Sequence, residues 1–314
     1  VDAEYKLIKN DYSIPKDERK KIFINMKSLV LYRIGGVIQS NTDNILISIF
    51  VGTIIVGYYS NYSLIIVSAT SFLNIIFSAV KASLGNFVNE KDKKSQLEMF
   101  NIFEVFNFWL VGFCFVCFVI LIPDFIKIVF GNEYLLSLSA LIWMSINFYT
   151  SNIRQTIWAY RETTGLFNKT KYITMVTAII NLFMSILLGY RFGLVGIIAA
   201  TVISRMLYAW WKEPLILFND YFNISAYKYY INYIKRAILI AVVTFAIYLI
   251  CYFIPNINIY INFLIKIIIS IFTYFIILFV IYKNDKSFEY LKNNILKKLG
   301  GSFYERLFKN KQNC

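Results

Sequence analysis

The sequence predicts an all-α fold, a polytopic membrane bundle of about eight transmembrane helices. Of its 314 residues, 58% are hydrophobic and 18% aromatic. The mean hydropathy is +0.59, which is more apolar surface than a soluble core of this length can bury. Long apolar segments alternate with short loops, and the basic residues concentrate in every second loop. Because lipid offers no hydrogen-bond partner to a bare peptide group, the crossing segments are expected to be helical.

The positions of the helices follow from the need for about 20 apolar residues per crossing. The segments that meet this need are residues 22–51, 57–88, 98–122, 135–160, 169–189, 193–211, 235–254 and 259–282. Lysine and arginine number 32 against 18 acidic residues, and they cluster before the first segment, in alternate loops and after the last segment. By the positive-inside rule, both ends of the chain are expected on the cytoplasmic side of the cell membrane.

Polar stretches divide the chain into parts. Residues 1–21 are expected to be a cytoplasmic linker from a preceding N-terminal lobe, since the chain opens at Val1 without an initiator methionine or a signal peptide. Residues 22–211 are expected to form a six-helix lobe, and residues 235–282 two additional transmembrane helices. Residues 212–234 are expected to be a cytoplasmic connection along the membrane surface, and residues 283–314 a basic cytoplasmic tail on anionic lipid.

The composition argues against several classes of function. The chain contains no histidine, which removes the commonest general base and the commonest metal ligand. The loops are too short to hold a soluble catalytic domain, so we expect neither an enzyme nor a cofactor or bound metal. A membrane polysaccharide polymerase or ligase is the enzyme alternative, but it would need a large outer loop with reactive groups. The basic residues share no face with interleaved aromatics, so no nucleic-acid partner is expected.

Polar residues recur at three- and four-residue spacing in the first, second, fourth, fifth and sixth segments. This spacing gives each helix one polar face, and five such faces predict a hydrated central cavity. Close packing of small polar residues is the alternative explanation, and snorkelling to the interface is the alternative for Lys81. Because the basic residues outnumber Asp43 and Glu104, an anionic substrate is expected. The candidate substrate-binding residues are Arg33, Arg154, Arg205, Lys81, Asn74 and Asn147.

Asp43 permits two interpretations. Together with Asn44, Asn181 and Thr201 it provides the oxygen ligands that hard cations prefer, which makes a candidate site for a coupling ion, Na⁺ or H⁺. Otherwise it balances the charge of an arginine. The spacing of residues on separate helices does not decide between these interpretations.

Several motifs resemble a known family of membrane transporters. These are residues 27–38 (KSLVLYRIGGVI), 42–48 (TDNILIS), 56–62 (VGYYSNY), 82–86 (ASLGN), 160–167 (YRETTGLF) and 193–201 (GLVGIIAAT). They resemble the C-terminal portion of Wzx-type polysaccharide (O-antigen or repeat-unit) flippases, members of the multidrug/oligosaccharidyl-lipid/polysaccharide exporter superfamily. The similarity covers about the first two-thirds of the chain, and the rest matches by hydropathy alone.

The resemblance implies two six-helix lobes around a central cavity, with this chain as the second lobe plus two additional C-terminal helices. It also implies alternating access that moves undecaprenyl-diphosphate-linked oligosaccharides from the inner to the outer leaflet for surface polysaccharide synthesis. Arg33, Arg154 and Arg205 would then meet the diphosphate or acidic sugars, and Asp43 could correspond to an acidic sodium-site residue of lipid II flippases. The partners implied are the lipid-linked oligosaccharide, membrane lipids and the N-terminal lobe. A lipid II flippase, a multidrug exporter and a structural membrane scaffold are the other possibilities.

Overall fold

The computed structural model describes residues 15–255 and 258–293, with the side chains of several residues in the first helix left out. All regular secondary structure within these residues is helical. The helices up to residue 282 are α1 (Lys16–Phe50), α2 (Thr53–Glu90), α3 (Lys93–Val129), α4 (Leu138–Asn152), α5 (Gln155–Thr163), α6 (Phe167–Thr170), α7 (Ile173–Leu207), α8 (Ala209–Ile216), α9 (Tyr227–Tyr252) and α10 (Ile259–Tyr282). A 3₁₀ turn, Asn132–Tyr134, precedes α4, and a π-helical segment, Leu217–Phe222, continues α8.

Long apolar helices confirm the prediction of a polytopic helical membrane bundle. Among the described residues, five helical stretches are long and apolar enough to cross a bilayer. They are Thr53–Glu90, Lys93–Val129, Phe167–Phe222, Tyr227–Tyr252 and Ile259–Tyr282. The stretch Phe167–Phe222 contains two of the predicted segments. The expected total of about eight crossings, the division into lobes and the side on which the ends lie stay predictions.

α7 is a hairpin rather than one straight rod, as the separate segments 169–189 and 193–211 predict. Gly193 interrupts it with φ 57° and ψ −133°, a conformation that glycine adopts readily. Asn181 donates a hydrogen bond to Thr201 Oγ1 at 3.0 Å across a separation of 20 residues. In a continuous helix these residues would lie about 30 Å apart. The two arms of the hairpin therefore pack side by side.

The structure corrects the prediction of one continuous helix over residues 135–160. α4 ends at Asn152, and α5 begins at Gln155. The break frees backbone carbonyls, and Asn107 of α3 donates to those of Asn152 and Ile153 at 3.1 and 2.8 Å. Lipid could not satisfy these carbonyls, so a side chain from a neighbouring helix makes the break tolerable. Arg154 lies in the break.

Residues 212–234 have a buried side that was not predicted. In the π-helical segment, Phe218 and Phe222 pack edge-on against Phe100 of α3, with ring centroids 5.3 and 6.0 Å apart. These rings belong to a cluster that also contains buried residues of α2, α5 and α9. The alternation of aromatic and polar residues here is typical of a membrane-surface segment, but the aromatic side packs into the bundle.

α9 and α10 lie against α3 at the edge of the bundle, which agrees with their apolar sequences. Lys266 of α10 donates to Asp124 of α3 at 2.6 Å, and Tyr274 donates to the Trp109 carbonyl at 2.8 Å. Large apolar side chains such as Phe245 and Phe272 remain more than 60% exposed. This surface suits contact with lipid.

Candidate functional site

A polar cavity of about 360 Å³ lies between α1, α2, α4 and α7. The contributing helices are adjacent because the α7 hairpin packs along both α1 and α4. The lining residues are Gly36 and Asp43 from α1; Tyr59, Ser63, Ile66, Val67 and Thr70 from α2; Met144, Asn147, Phe148, Ser151 and Asn152 from α4; and Thr201 and Arg205 from α7.

Asp43 is buried and is held by the hairpin. Thr201 Oγ1 lies 3.0 and 3.2 Å from the two carboxylate oxygens of Asp43 and donates to them. Asn181, on the other arm, donates to the same Thr201 oxygen, and its own Oδ1 has no hydrogen-bond partner within the described part of the chain. These oxygens form a group of hard ligands. Three of the four residues predicted for a cation site therefore lie together, whereas Asn44 is exposed and does not line the cavity.

Arg205 is the cationic residue of the cavity. Its Nη1 donates to the Asn147 carbonyl at 3.2 Å, to Asn147 Oδ1 at 2.9 Å and to Thr150 Oγ1 at 2.8 Å. These acceptors are neutral, and no carboxylate in residues 15–255 or 258–293 lies within salt-bridge distance of it. The guanidinium is thus fixed in direction while its charge stays available to a ligand.

Arg154 lies outside this cavity. Its Nη1 is 3.0 Å from Glu213 Oε2, and Trp158 Nε1 donates to the same oxygen at 2.9 Å. Arg161 approaches the other oxygen of Glu213 at 3.6 Å. Glu213 is only 2% exposed, so two arginines share one buried carboxylate. This pairing was missed because Glu213 falls in the segment predicted to be a surface connection.

The remaining predicted residues are spread over the bundle. Asn147 lines the cavity. Asn74 is exposed and accepts from Gln155 at 2.7 Å, and Lys81 pairs with Glu162 at 2.8 Å with 28% of its side chain exposed. Arg33 lies in α1, but its side chain falls outside the described residues.

The polar residues of α2 that recur at three- and four-residue spacing, Ser71, Asn74, Ser78 and Lys81, were predicted to face the cavity, but none of them lines it. Ser71 and Ser78 are exposed, and each hydroxyl donates to a carbonyl of its own helix, at 2.9 and 2.7 Å. Such back-bonding lets a serine face an apolar medium without an unsatisfied donor. Tyr59, Ser63 and Thr70 face the cavity instead. The three- and four-residue spacing identified a polar stripe but did not tell which stripe of the helix turns inward.

Comparison with known proteins defines the fold. No protein-family model matches the chain, and no curated protein matches it. A solved structure, lipid II flippase MurJ in an inward closed conformation, is similar to it with a TM-score of 0.58 and 18% sequence identity over 82% of this chain. The chain spans about half of that structure, which it covers to 52%. At this identity the likeness shows a shared fold, a helical membrane bundle of the kind that a lipid flippase has.

Proposed function

We propose that this chain forms the substrate-binding half of a flippase that moves undecaprenyl-diphosphate-linked oligosaccharide repeat units from the inner to the outer leaflet of the cytoplasmic membrane. The observation that carries the proposal is Arg205, a buried cation that faces a cavity inside a membrane bundle and that neutral acceptors hold in place. Keeping such a charge in the membrane is costly unless it serves a ligand. The protein is a transporter, not an enzyme, and requires no cofactor beyond a coupling ion.

The chemistry of the cavity fits a diphosphate. The planar guanidinium of Arg205 keeps N–H groups besides those on Nη1, and these match phosphate oxygens in paired geometry. Asn147 and Thr150 fix its orientation before the substrate arrives, which lowers the entropy cost of binding. Asp43 borders the same cavity and would repel a phosphate as long as its charge is uncompensated. A bound Na⁺ or a proton on the carboxylate would remove this repulsion, and this is how an ion gradient would couple to transport by alternating access.

The cavity is proposed to be completed by a second lobe, the N-terminal lobe of the same protein. α2 is one of the apolar spans, yet only 11% of its most apolar window is buried. Its exposed surface carries large apolar residues such as Leu64 and Phe72, and between them small and polar residues, namely Gly57, Ser60, Ser68, Ser71, Asn74 and Ser78. In membranes such residues are typical of helix–helix contacts, because they permit close approach of two backbones.

A lipid II flippase is the second candidate. Its substrate also carries a diphosphate on a polyprenyl chain, and the likeness in fold to the lipid II flippase structure favours it. A multidrug exporter is less consistent with the cavity, since a cationic drug would meet Arg205. The two leading candidate functions therefore differ in the sugar portion of the substrate.

The test is a transport assay with the protein expressed from its gene and reconstituted in vesicles. The vesicles contain either a fluorescent undecaprenyl-diphosphate-linked oligosaccharide or fluorescent lipid II, and exposure of the label to the opposite face is followed by chemical quenching. We expect Arg205→Gln to lower the rate at least about tenfold, the effect of losing one charge-assisted interaction, and Arg205→Lys to retain part of it. Arg191→Gln, at an exposed position near the hairpin turn, is the matched control.

Each outcome of this assay bears on one part of the proposal. Faster transport of the oligosaccharide than of lipid II supports the repeat-unit flippase, and the reverse result favours the second candidate. Equal rates for wild type, Arg205→Gln and Arg191→Gln would overturn the role of Arg205. In the same vesicles, Asp43→Asn is expected to abolish the response to an imposed Na⁺ or H⁺ gradient, and a retained response would remove the coupling role.

A further inference from the structure

A second polar pocket lies between α3, α9 and the π-helical segment, away from the cavity of Asp43 and Arg205. Its volume is about 160 Å³, several times the share of one water molecule, about 30 Å³. Its polar lining includes Glu104, Lys228, Tyr229, Asn232 and Arg236. Such a space admits a small headgroup but not an oligosaccharide.

The charged groups of this pocket leave one cation uncompensated. Arg236 lies 3.3 Å from Glu104 Oε2, so these two charges offset each other. Lys228 has no carboxylate within salt-bridge distance in the described part of the chain. Lys228, Asn232 and Arg236 are spaced four residues apart, which places them along one side of α9.

Two buried polar atoms of the lining have no partner in the described structure. The Tyr229 hydroxyl, on a residue 7% exposed, and Glu104 Oε1, on a residue 4% exposed, both lack a hydrogen bond of acceptable geometry. Thr156 faces the same carboxylate, but its Oγ1 is also without such a bond. Because buried polar groups without partners are costly, these atoms call for a ligand that donates to the carboxylate and bonds the phenol.

The location points to a lipid. The pocket lies within the first turns of α3 and α9, at the lysine-rich end of these helices where Lys91, Lys93 and Lys94 also lie, and thus at the level of the headgroups. Val242 lies about four turns after Lys228 on the same side of α9 and is 59% exposed. Acyl chains would lie along this side of the helix while the headgroup occupies the pocket.

We propose that this pocket binds the headgroup of a glycerophospholipid whose phosphate meets Lys228 and Arg236 and whose terminal N–H or O–H group donates to Glu104. Ethanolamine and glycerol headgroups meet this description. A choline headgroup does not, since its quaternary nitrogen carries no hydrogen-bond donor. The proposal does not rest on the transport function.

Native mass spectrometry of the intact protein tests the proposal. Detergent-solubilised protein is titrated with phosphatidylethanolamine, phosphatidylglycerol or phosphatidylcholine of identical acyl chains. We expect the first two lipids to be retained preferentially, and Lys228→Gln to weaken their retention about tenfold, as for loss of one charge-assisted hydrogen bond. Lys235→Gln is the matched control, because Lys235 is an exposed lysine of the same helix that does not line the pocket.

Tyr229→Phe separates a ligand site from a structural role. The Tyr229 hydroxyl has no described protein partner, so we expect its removal to leave the thermal stability of lipid-free protein unchanged and to reduce the stabilisation that added phosphatidylethanolamine confers. Equal retention of all three lipids, or equal losses in Lys228→Gln and Lys235→Gln, would indicate a nonspecific lipid belt and overturn the proposal. Full competition by soluble glycerophosphoethanolamine would also overturn it, since the ligand would then be a free phosphate ester.

Discussion

Asn107 shows how a single side chain decides the course of a helix in this protein. Its amide donates to the carbonyls of Asn152 and Ile153, which the break between α4 and α5 leaves without helical partners. The residue is fully buried, so water cannot replace it. Arg154, which pairs with Glu213 of α8, lies in this break.

Replacing Asn107 by leucine keeps the volume but removes the donor. We expect Asn107→Leu to lower the free energy of unfolding by about 1–3 kcal/mol, the cost of leaving buried acceptors unsatisfied. Unfolding titrations in mixed detergent micelles measure this change. Asn44→Leu, at an exposed position, is expected to stay within about 0.5 kcal/mol of wild type. If both variants are equally stable, the amide does not support the break.

At this scale the sequence predicts which residues matter better than it predicts their partners. Asp43 and Arg205 were identified because a charge in an apolar segment is costly, and the structure places both beside one cavity. The pairing of Arg154 with Glu213 was not predictable, since 59 residues separate them and no helical spacing relates them. Periodicity fixes the relative positions of residues on one helix, whereas contacts between helices depend on packing.

At the scale of elements, the α7 hairpin illustrates what short-range signals can predict. The interruption near Gly193 was predicted from the two apolar segments, and the structure confirms a turn there. The tightness of the hairpin was not predicted. A Cβ atom on Gly196 would collide with the backbone carbonyl of Leu188, so glycine is required for the two arms to approach this closely. This approach brings Asn181 to Thr201.

Gly196→Ala tests the hairpin. We expect a loss of about 1–3 kcal/mol in stability, the usual cost of overpacking against a group that cannot move away. Gly85→Ala is the matched control, because a Cβ at Gly85 meets nothing within 4 Å and alanine is the better helix former by about 1 kcal/mol. Thermal unfolding in detergent compares the two variants. A Gly196→Ala protein as stable as Gly85→Ala would show that the arms do not pack as described.

At the scale of the whole molecule, buried ion pairs join elements that are far apart in sequence. Glu104 of α3 pairs with Arg236 of α9, and Asp124 of α3 pairs with Lys266 of α10. Glu213 of α8 pairs with Arg154, which lies in the break between α4 and α5. In lipid, apolar contacts between helices gain little over contacts with acyl chains. Specific polar pairs therefore contribute to the choice of neighbours. The all-helical membrane fold was predictable from hydropathy, but this arrangement was not.

Glu213 is the strictest test of this view, since it carries the compensating charge for Arg154 and approaches Arg161. Glu213→Gln leaves buried guanidinium charge uncompensated, and we expect a loss of about 3–5 kcal/mol in stability. The double variant Arg154→Gln/Glu213→Gln removes both members of the closer pair and is expected to recover part of this loss. Glu98→Gln, at an exposed carboxylate of α3, is the control. Arg154→Gln alone completes the cycle, and mixed-micelle unfolding titrations of wild type, the two single variants and the double variant give the coupling energy between Arg154 and Glu213.

The same variants separate structural from substrate-binding arginines. Arg154 is compensated by Glu213 and lies outside the cavity, whereas Arg205 borders the cavity and has only neutral partners among the described residues. Wherever the double variant folds, it is therefore expected to bind the proposed substrate, a lipid-linked diphosphate, nearly as well as wild type, and Arg205→Gln is expected to bind it at least about tenfold more weakly. Titration of the reconstituted protein with the fluorescent substrate measures both affinities. Weak binding by a well-folded double variant would place Arg154 in the substrate path after all and would require Glu213 to release it during the transport cycle.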